Sequence, residues 1–299
     1  MAVSPSQKVL FMGLGASGKT SIRSVIFDGK TTEDVADYSA TINYSRSSKN
    51  LVGTAFQIFD CGGQESFISN FVGDQAEFIF SNVRLLIWVA DVGDFNQVST
   101  SKFYFDQAIE KLIDYSPEAA VFCLFHKTDL LHPDMKETLL ENMQQYFIPP
   151  KPMEIHYRGT TIFDSSIFST VGEAMRLLIL QSSKVKNLYD AVQNFTQEAR
   201  ELTGIIVYTD DGLPILEAGN TDKIVVPANL WMSNIGEVGS AFETHKMLRS
   251  TMETDEFIFV FQKITNKLLL AGVTERVVPL HFVTTKIEQL ANIVNELVP

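Results

Sequence analysis

A glycine-rich segment near the start of the chain has the residue types and spacing of a phosphate-binding loop. Residues 13–20 read Gly-Leu-Gly-Ala-Ser-Gly-Lys-Thr, and the apolar run 9–12 precedes them. The glycines let backbone N–H groups converge on a phosphate, Lys19 reaches the β- and γ-phosphates, and the Thr20 hydroxyl can ligate Mg²⁺. The predicted ligand is therefore a nucleoside triphosphate with Mg²⁺. The residues predicted to contact it here are Gly13, Gly15, Ala16, Ser17, Gly18, Lys19, Thr20 and Ser21.

A second segment, Asp-Cys-Gly-Gly-Gln at residues 60–64, follows the strand-like run 54–59. The Asp60 carboxylate can hold a water on Mg²⁺, and a glycine N–H, that of Gly63, can sense a γ-phosphate. Gln64 occupies the position from which a side-chain amide orients an attacking water. Gln64 is therefore the predicted catalytic residue.

The segment between these two motifs contains the predicted switch residue Thr41. A hydroxyl there can close onto Mg²⁺ and the γ-phosphate when a triphosphate is bound. Ser39 and Ser45 have similar spacing, so spacing alone does not separate them from Thr41. The predicted metal ligands are Thr20, Thr41 and Asp60.

A third motif, Phe-Cys-Leu-Phe-His-Lys-Thr-Asp at residues 122–129, predicts selection of guanine. A carboxylate can accept from both the ring N–H and the exocyclic amine of guanine, so Asp129 would choose guanine over adenine while the Lys127 stem packs on the base. His126 stands where Asn is commonest in small GTPases, and we favour a supporting role in the base pocket over direct contact with the base. The backbone of the tripeptide Thr160-Thr161-Ile162 is a weaker candidate for supporting the base.

From about residue 8 to residue 180, the chain resembles the GTPase domain of the Rag/Gtr family of Ras-like proteins. The segments 19–27, 40–42 and 60–64 carry the resemblance, together with the His that precedes Lys-x-Asp at residues 126–129. The Gly-Gly-Gln form of residues 62–64 resembles the RagA/RagB type more than the RagC/RagD type. The sequence departs from the family pattern at Gly15, Ala16 and Asn43.

The elements that must position these motifs alternate along the first 182 residues. Strand-like runs lie at 9–12, 54–59, 85–90, 120–125 and 153–157, and helical periodicity lies at 21–27, 103–115 and 136–146. This alternation predicts an α/β fold with a mainly parallel sheet and a ligand at the carboxyl ends of its strands. We therefore predict that residues 1–182 form a P-loop GTPase domain.

The pattern changes after the polar break at residues 181–183. Apolar residues spaced by three and four predict helices at 185–202, around Trp231, Ile235, Val238 and Phe242, and at 280–297. Two hairpins are predicted at 204–216, with an Asp-Gly turn, and at 257–271. This α-β-β-α-β-β-α order resembles a roadblock domain, so residues 183–299 are expected to form an α+β roadblock/longin-like dimerisation domain.

The charge and hydrophobicity of the chain limit the classes of partner that it can bind. The net charge of −12 divides into −7 through Ser182 and −5 beyond it, so neither half has the basic character that binds nucleic acid or anionic lipid. No window reaches the roughly 18 apolar residues of a membrane span, and no lipidation motif is present. Cys61 and Cys123 are expected to be buried, reduced thiols of a cytoplasmic protein.

The resemblance implies a switch that hydrolyses GTP to GDP and pairs, through its C-terminal domain, with a second Rag-like GTPase or a roadblock protein. A GTPase-activating protein and an effector are expected. In eukaryotes, such pairs are recruited to the lysosome or vacuole surface by a scaffold and report amino-acid supply to the target-of-rapamycin kinase; archaea also have Rag-like GTPases. Membrane association would thus be indirect.

Three questions stay open at this point. No arginine of the chain is identified as a catalytic finger, because Arg23 and Arg46 are better explained as structural or solvated residues. One alternative function is a platform that holds nucleotide without hydrolysis, against which Gln64 and Thr41 argue. A phosphate-loop kinase or ATPase is the other, against which Asp129 argues.

Overall fold

The computed structural model describes residues 6–36, 38–39, 41–164, 166–180, 183–209, 212–221, 224, 228, 249–265 and 268–297. The chain divides into two compact units, Met1–Thr170 and Val171–Pro299. The division falls inside the helix Ser166–Ile179, and the predicted domain boundary after Ser182 stays a prediction. The helix predicted around Trp231, Ile235, Val238 and Phe242 lies outside the described residues, as do Ala40, Asp210 and Asp211.

The first unit is built on a six-stranded sheet. Its strands are β1 (Gln7–Met12), β2 (Tyr44–Leu51), β3 (Thr54–Cys61), β4 (Val83–Asp91), β5 (Ala120–His126) and β6 (His156–Thr160), in the order β2-β3-β1-β4-β5-β6. All neighbouring strands pair in parallel except β2 and β3, which are antiparallel. The central strands β1, β4 and β5 are almost entirely buried, as their continuous apolar runs predict for a sheet covered on both faces.

Helices follow the strands of this sheet. They are α1 (Lys19–Asp28), α2 (Glu65–Val72), α3 (Ala76–Phe80), α4 (Val98–Tyr115), α5 (Pro133–Tyr146) and α6 (Ser166–Ile179), with short 3-10 turns at Phe95–Gln97 and Thr128–Leu130. Side chains of α2, α3 and α4 join those of β1, β4 and β5 in one core, in which Trp88 packs edge-on against Phe105. The predicted α/β fold with a mainly parallel sheet is confirmed.

One strand prediction in this unit is wrong, and one strand has no prediction. The run 153–157 was expected to be a strand, but the strand is His156–Thr160, because Met153 and Ile155 pack on the core without joining the sheet. Strand β2 has no predicted counterpart. Its sequence, Tyr-Ser-Arg-Ser-Ser-Lys-Asn-Leu, is polar and largely exposed at the sheet edge, so it lacks the apolar alternation by which strands are found.

The second unit is an α+β structure. It contains α7 (Ser183–Glu198), β7 (Gly204–Thr209), β8 (Pro214–Gly219), β9 (Arg249–Glu253), β10 (Phe257–Lys263), β11 (Leu268–Glu275) and α8 (Leu280–Leu297). Its strands form an antiparallel sheet in the order β8-β7-β11-β10-β9, against which α7 and α8 pack. The predicted hairpins and the last helix are present, and the arrangement fits a roadblock/longin-like domain.

Strand β9 was not predicted. Its residues alternate between exposed and half-buried positions at the sheet edge, and four of them, Arg-Ser-Thr-Met, carry no strong apolar signal. Among the residues that the structure describes, no helix combines the length and the apolar character needed to cross a membrane.

Candidate functional site

A cavity of about 550 Å³ opens at the carboxyl ends of the parallel strands in the first unit. This volume lies within the usual range for small-molecule sites. Most of the predicted site residues line it: Gly15, Ala16, Gly18, Lys19, Thr20, Ser21, Thr41, Gly63, Gln64, His126, Lys127, Asp129, Thr161 and Ile162. The remaining three, Gly13, Ser17 and Asp60, are buried. Segments far apart in the sequence therefore converge on one cavity.

The loop between β1 and α1 forms one end of the cavity. Gly18 precedes α1 with φ 97°, a left-handed conformation that glycine adopts without steric cost. Lys19 Nζ donates to the carbonyl oxygen of Leu14 at 2.7 Å and lies 3.3 Å from Ser17 Oγ. Burial lowers the pKa of Lys19 to about 8, while the nearby charge of Asp60 opposes that shift. The loop thus keeps a buried ammonium group at the end predicted to bind phosphates.

The three predicted metal ligands lie together. Thr20 Oγ1 donates to Asp60 Oδ2 at 2.8 Å and is 2.8 Å from Thr41 Oγ1. Asp60 is fully buried, and within the described part of the chain its Oδ1 has no hydrogen-bond partner. Burial raises the pKa of Asp60, against the opposing effects of the Thr20 hydrogen bond and the charges of Lys19 and Arg23. Oxygen donors with one uncommitted carboxylate oxygen suit Mg²⁺, which prefers oxygen ligands and binds with the help of substrate phosphates.

The geometry separates Thr41 from the two serines that have similar spacing. Ser39 lines the cavity but has no hydrogen bond to Thr20 or Asp60, whereas Thr41 meets Thr20 directly. Ser45 lies on the exposed strand β2. Ser45 is paired with Asp60 by strand register, but of the three hydroxyls it is that of Thr41 which contacts Thr20.

The segment that follows β3 touches both the phosphate loop and the Thr41 segment. A Cβ added to Gly63 would lie 2.4 Å from the carbonyl carbon of Leu14 and 2.5 Å from Gly15 N. Gly62 N donates to the carbonyl oxygen of Asn43, two residues after Thr41. Gln64 lines the cavity and immediately precedes α2. Both predicted switch segments thus meet at the phosphate end.

Side-chain pairs fix the other end of the cavity. Lys127 Nζ forms an ion pair with Asp91 Oδ2 at 2.6 Å, and Asp129 Oδ1 accepts a hydrogen bond from Thr161 Oγ1. The Thr161 hydroxyl also accepts from Phe163 N at 3.2 Å. These contacts hold the predicted base-reading carboxylate and lysine in place.

His126 joins the two ends. Its Nδ1 lies 3.0 Å from Thr160 Oγ1, and a Cβ on Gly18 would lie 2.7 Å from its Cδ2, so the ring packs against the phosphate loop. Burial lowers the pKa of His126 to about 4, which leaves the ring neutral at pH 7. These contacts agree with the supporting role that the sequence favours, although the ring also lines the cavity.

Sequence reasoning missed several residues of the site. Asp91 ends β4 and Thr160 ends β6, and strand register aligns both with His126 on β5, the strand between them. The strand-end position of Asp91 is the only signal that the sequence offers for it, whereas Thr160 was expected only to offer backbone groups near the base. The cavity is also lined by Val35, Ala36, Tyr38, Leu130 and Phe163.

The two arginines considered as internal fingers are held by residues outside the cavity lining. Arg23 Nη1 pairs with Asp28 Oδ2 at 2.8 Å, and the guanidinium of Arg46 lies 5.5 Å from the centre of the Phe59 ring. Neither residue is in the cavity lining. Cys61 and Cys123 are free and buried, as expected, and burial raises the pKa of Cys61 to about 12.

Comparisons with known proteins identify the family of the chain. The Gtr1/RagA G protein conserved region matches residues 8–209. The chain is 30% identical over 227 residues to GTP-binding protein gtr1 of Schizosaccharomyces pombe, covering 73% of each chain. It is 34% identical over 178 residues to Ras-related GTP-binding protein A of Dictyostelium discoideum, covering 58% of each. Identity to Ras-related GTP-binding protein C of Mus musculus is 26% over 194 residues, covering 62% of this chain and 48% of that one.

Proposed function

Because the chain belongs to the Gtr1/RagA family of G proteins and is a GTPase, we propose that it is a switch driven by slow GTP hydrolysis in this cavity. The contact between three segments carries the proposal. Thr20 is 2.8 Å from both Thr41 and Asp60, and Gly63 lies directly against the phosphate loop. A γ-phosphate bound there would be a common partner of all three segments, and its loss on hydrolysis would release them.

Each residue of the site has a separate role in the proposed reaction. A water attacks the γ-phosphate in line with the leaving GDP, and the Gln64 amide orients that water. The Lys19 ammonium offsets charge on the β- and γ-phosphates. Mg²⁺, held by Thr20, Thr41 and a water on Asp60, supplies further positive charge at those phosphates when it is bound.

Guanine would be selected at the base end of the cavity, opposite the end that binds the phosphates. The Asp129 carboxylate, oriented by the Thr161 hydroxyl, accepts the two adjacent donors that guanine presents and adenine lacks. The Lys127 stem, held by the ion pair with Asp91, covers the base. Nucleotide choice therefore depends on groups separate from those that act on the γ-phosphate.

Turnover is expected to depend on a partner. Arg23 and Arg46 have partners outside the cavity, so this proposal includes no arginine finger from the same chain. A GTPase-activating protein that inserts an arginine or an equivalent group would raise the rate by about 10³ to 10⁵. Slow turnover in the absence of that partner suits a switch.

Assembly and signalling complete the proposal. The C-terminal unit would pair with a second Rag-like GTPase or a roadblock protein; the similarity to Ras-related GTP-binding protein C as well as to A supports the existence of such related partners. The pair would act in amino-acid signalling through an effector. It would be cytoplasmic and, in a eukaryote, recruited to the lysosome or vacuole surface by a scaffold.

Single-turnover hydrolysis tests the biochemical core of this proposal. Purified protein is loaded with GTP or ATP, Mg²⁺ is added, and product is followed by chromatography for wild type and Gln64→Leu. We expect slow, GTP-selective turnover that the substitution abolishes while nucleotide stays bound. The matched control is Gln144→Leu, on an exposed position of α5, which should hydrolyse GTP at the wild-type rate.

The alternatives give different results. Tightly bound guanine nucleotide without any wild-type turnover would contradict the switch and favour a non-hydrolysing assembly platform. Equal binding and hydrolysis of ATP and GTP would favour a phosphate-loop ATPase or kinase. An unchanged rate in Gln64→Leu would remove the role assigned to Gln64.

A further inference from the structure

One arginine lies between two carboxylates beside the predicted metal site. Arg23 is on α1, one turn after Lys19. Its Nη1 is 2.8 Å from Asp28 Oδ2 and its Nε is 3.7 Å from Asp60 Oδ2. Its Nη2 donates to Ser24 Oγ at 3.0 Å. The planar guanidinium therefore faces three oxygen atoms with three different nitrogens.

The side of Arg23 that faces Asp60 is buried. Arg23 Nε and Asp60 Oδ1 both lack a hydrogen-bond partner among the residues that the structure describes. Asp60 Oδ2, in contrast, accepts from Thr20 at 2.8 Å. The carboxylate thus has one committed oxygen and one free oxygen, and a terminal carboxylate torsion has broad minima. A fixed charge beside Oδ2 favours the orientation in which Oδ1 stays free.

The positive charge of Arg23 would by itself repel a cation bound at Asp60. Asp28 offsets that charge, because its carboxylate lies 2.8 Å from the guanidinium. Asp28 is itself held from the other side by Lys49, whose Nζ lies 3.3 Å from Asp28 Oδ1. The position of Arg23 is therefore fixed, and Asp28, which Arg23 shares with Lys49, offsets part of its repulsion toward a nearby cation.

We propose that Arg23 is a positioning residue for the Mg²⁺ site. It keeps Asp60 Oδ2 on the Thr20 hydroxyl, so that Oδ1 remains available to the water held on the metal. The inference rests on the Mg²⁺ role given to Asp60 in the proposed function. Arginine suits this task because its fork reaches several oxygens in one plane, whereas the single ammonium of lysine cannot bridge both carboxylates in the same way.

Mg²⁺-dependent nucleotide release tests this role without measuring hydrolysis. The full chain is loaded with fluorescent GDP, and the release rate is measured from excess EDTA through increasing free Mg²⁺. We expect Arg23→Met, which keeps an apolar stem, to need about 10- to 100-fold more free Mg²⁺ for half of the slowing, the usual cost of losing a group that supports a metal ligand. Its rate in EDTA should match wild type. Arg23→Lys should behave like Arg23→Met.

Arg46→Met is the matched control. It removes the same charge from the same unit, but Arg46 stacks on Phe59 and pairs with neither carboxylate, so the wild-type Mg²⁺ dependence is expected. An unshifted Mg²⁺ midpoint in Arg23→Met would overturn the inference. So would a wild-type midpoint in Arg23→Lys, or an equal acceleration of release at every Mg²⁺ level including EDTA, since that indicates general loss of packing. Wild-type release that ignores Mg²⁺ would instead contradict the metal site itself.

Discussion

The two ends of the cavity are held together by different kinds of contact. At the phosphate end, apart from the side-chain contacts of Thr20 with Thr41 and Asp60, backbone lies against backbone: a Cβ on Gly13 would be 2.1 Å from the Val89 carbonyl oxygen, and one on Gly63 would be 2.4 Å from the Leu14 carbonyl carbon. At the base end, side chains pair with side chains, as in the 2.6 Å contact between Lys127 and Asp91. The first kind leaves no room for a larger residue, whereas the second depends on particular donors and acceptors.

This difference follows from what each end has to recognise. Phosphates are the same in every nucleotide, so backbone N–H groups and one ammonium suffice for them. A base is identified by its pattern of donors and acceptors, which only suitable side chains can match. Substitutions at the base end should therefore change which nucleotide binds, and substitutions at the phosphate end should change what happens to it.

Substitution of Asp129 is expected to have the largest effect, on the affinity for GTP. Asp129→Ala removes the acceptor for two guanine donors, and hydrogen bonds to a charged group contribute about 1.5–3 kcal/mol each. We expect the affinity for GTP to fall about 10³-fold, with little change in the weak affinity for ATP. Competition of GTP and ATP against fluorescent GDP measures both. The exposed Asp134→Ala is the control, and equal weakening of GTP and ATP would contradict a base-reading role.

Substitution of Gly63 is expected to have a smaller effect, on the rate of GTP hydrolysis. In Gly63→Ala, the added Cβ would meet Leu14 and Gly15 backbone atoms at 2.4–2.5 Å, and no flexible side chain can give way. The segment that carries Gln64 must then shift, and a displacement of about 1 Å costs roughly 100-fold in rate. Single-turnover GTP hydrolysis measures the loss, while bound nucleotide should be retained.

Gly53→Ala separates this effect from the general cost of replacing a glycine. Gly53 has φ +80°, but a Cβ there meets nothing within 4 Å. We expect this variant to hydrolyse GTP at the wild-type rate even if it is slightly less stable. A wild-type rate in Gly63→Ala would mean that the backbone contact at the phosphate end is not needed for hydrolysis.

The contrast between the two ends of the cavity also explains which parts of the structure the sequence could predict. The phosphate loop is a local motif between a buried strand and a helix, so residues 9–28 carry nearly all the information about it. The apolar runs of β4 and β5 likewise reveal buried parallel strands. The motif of residues 60–64 was found for the same reason, since it directly follows an apolar strand.

Contacts between strands could not be predicted in this way. Asp91 and Thr160 are assigned to the site because strand register aligns both with His126, and register depends on pairing over long sequence separations. Strand β2 was missed because polar residues at a sheet edge leave no periodic signal. The shift of β6 has a related cause: apolar residues at 153 and 155 report burial, not pairing.

Substitution of His126 is expected to have the smallest effect, on the pH dependence of stability. It tests the residue that joins the two ends of the cavity. Its pKa is about 4 in the folded protein and near 6.5 in an unfolded chain, so between these values the unfolded state binds more protons and stability falls as the pH falls. From pH 7 to pH 5, wild type should lose about 2 kcal/mol more than His126→Asn, whose amide does not titrate. Urea unfolding of both proteins at each pH, with the same bound nucleotide, measures the difference. Equal losses would mean that the ring is not held neutral between Thr160 and Gly18, and a larger loss in His126→Asn would reverse the sign of the argument.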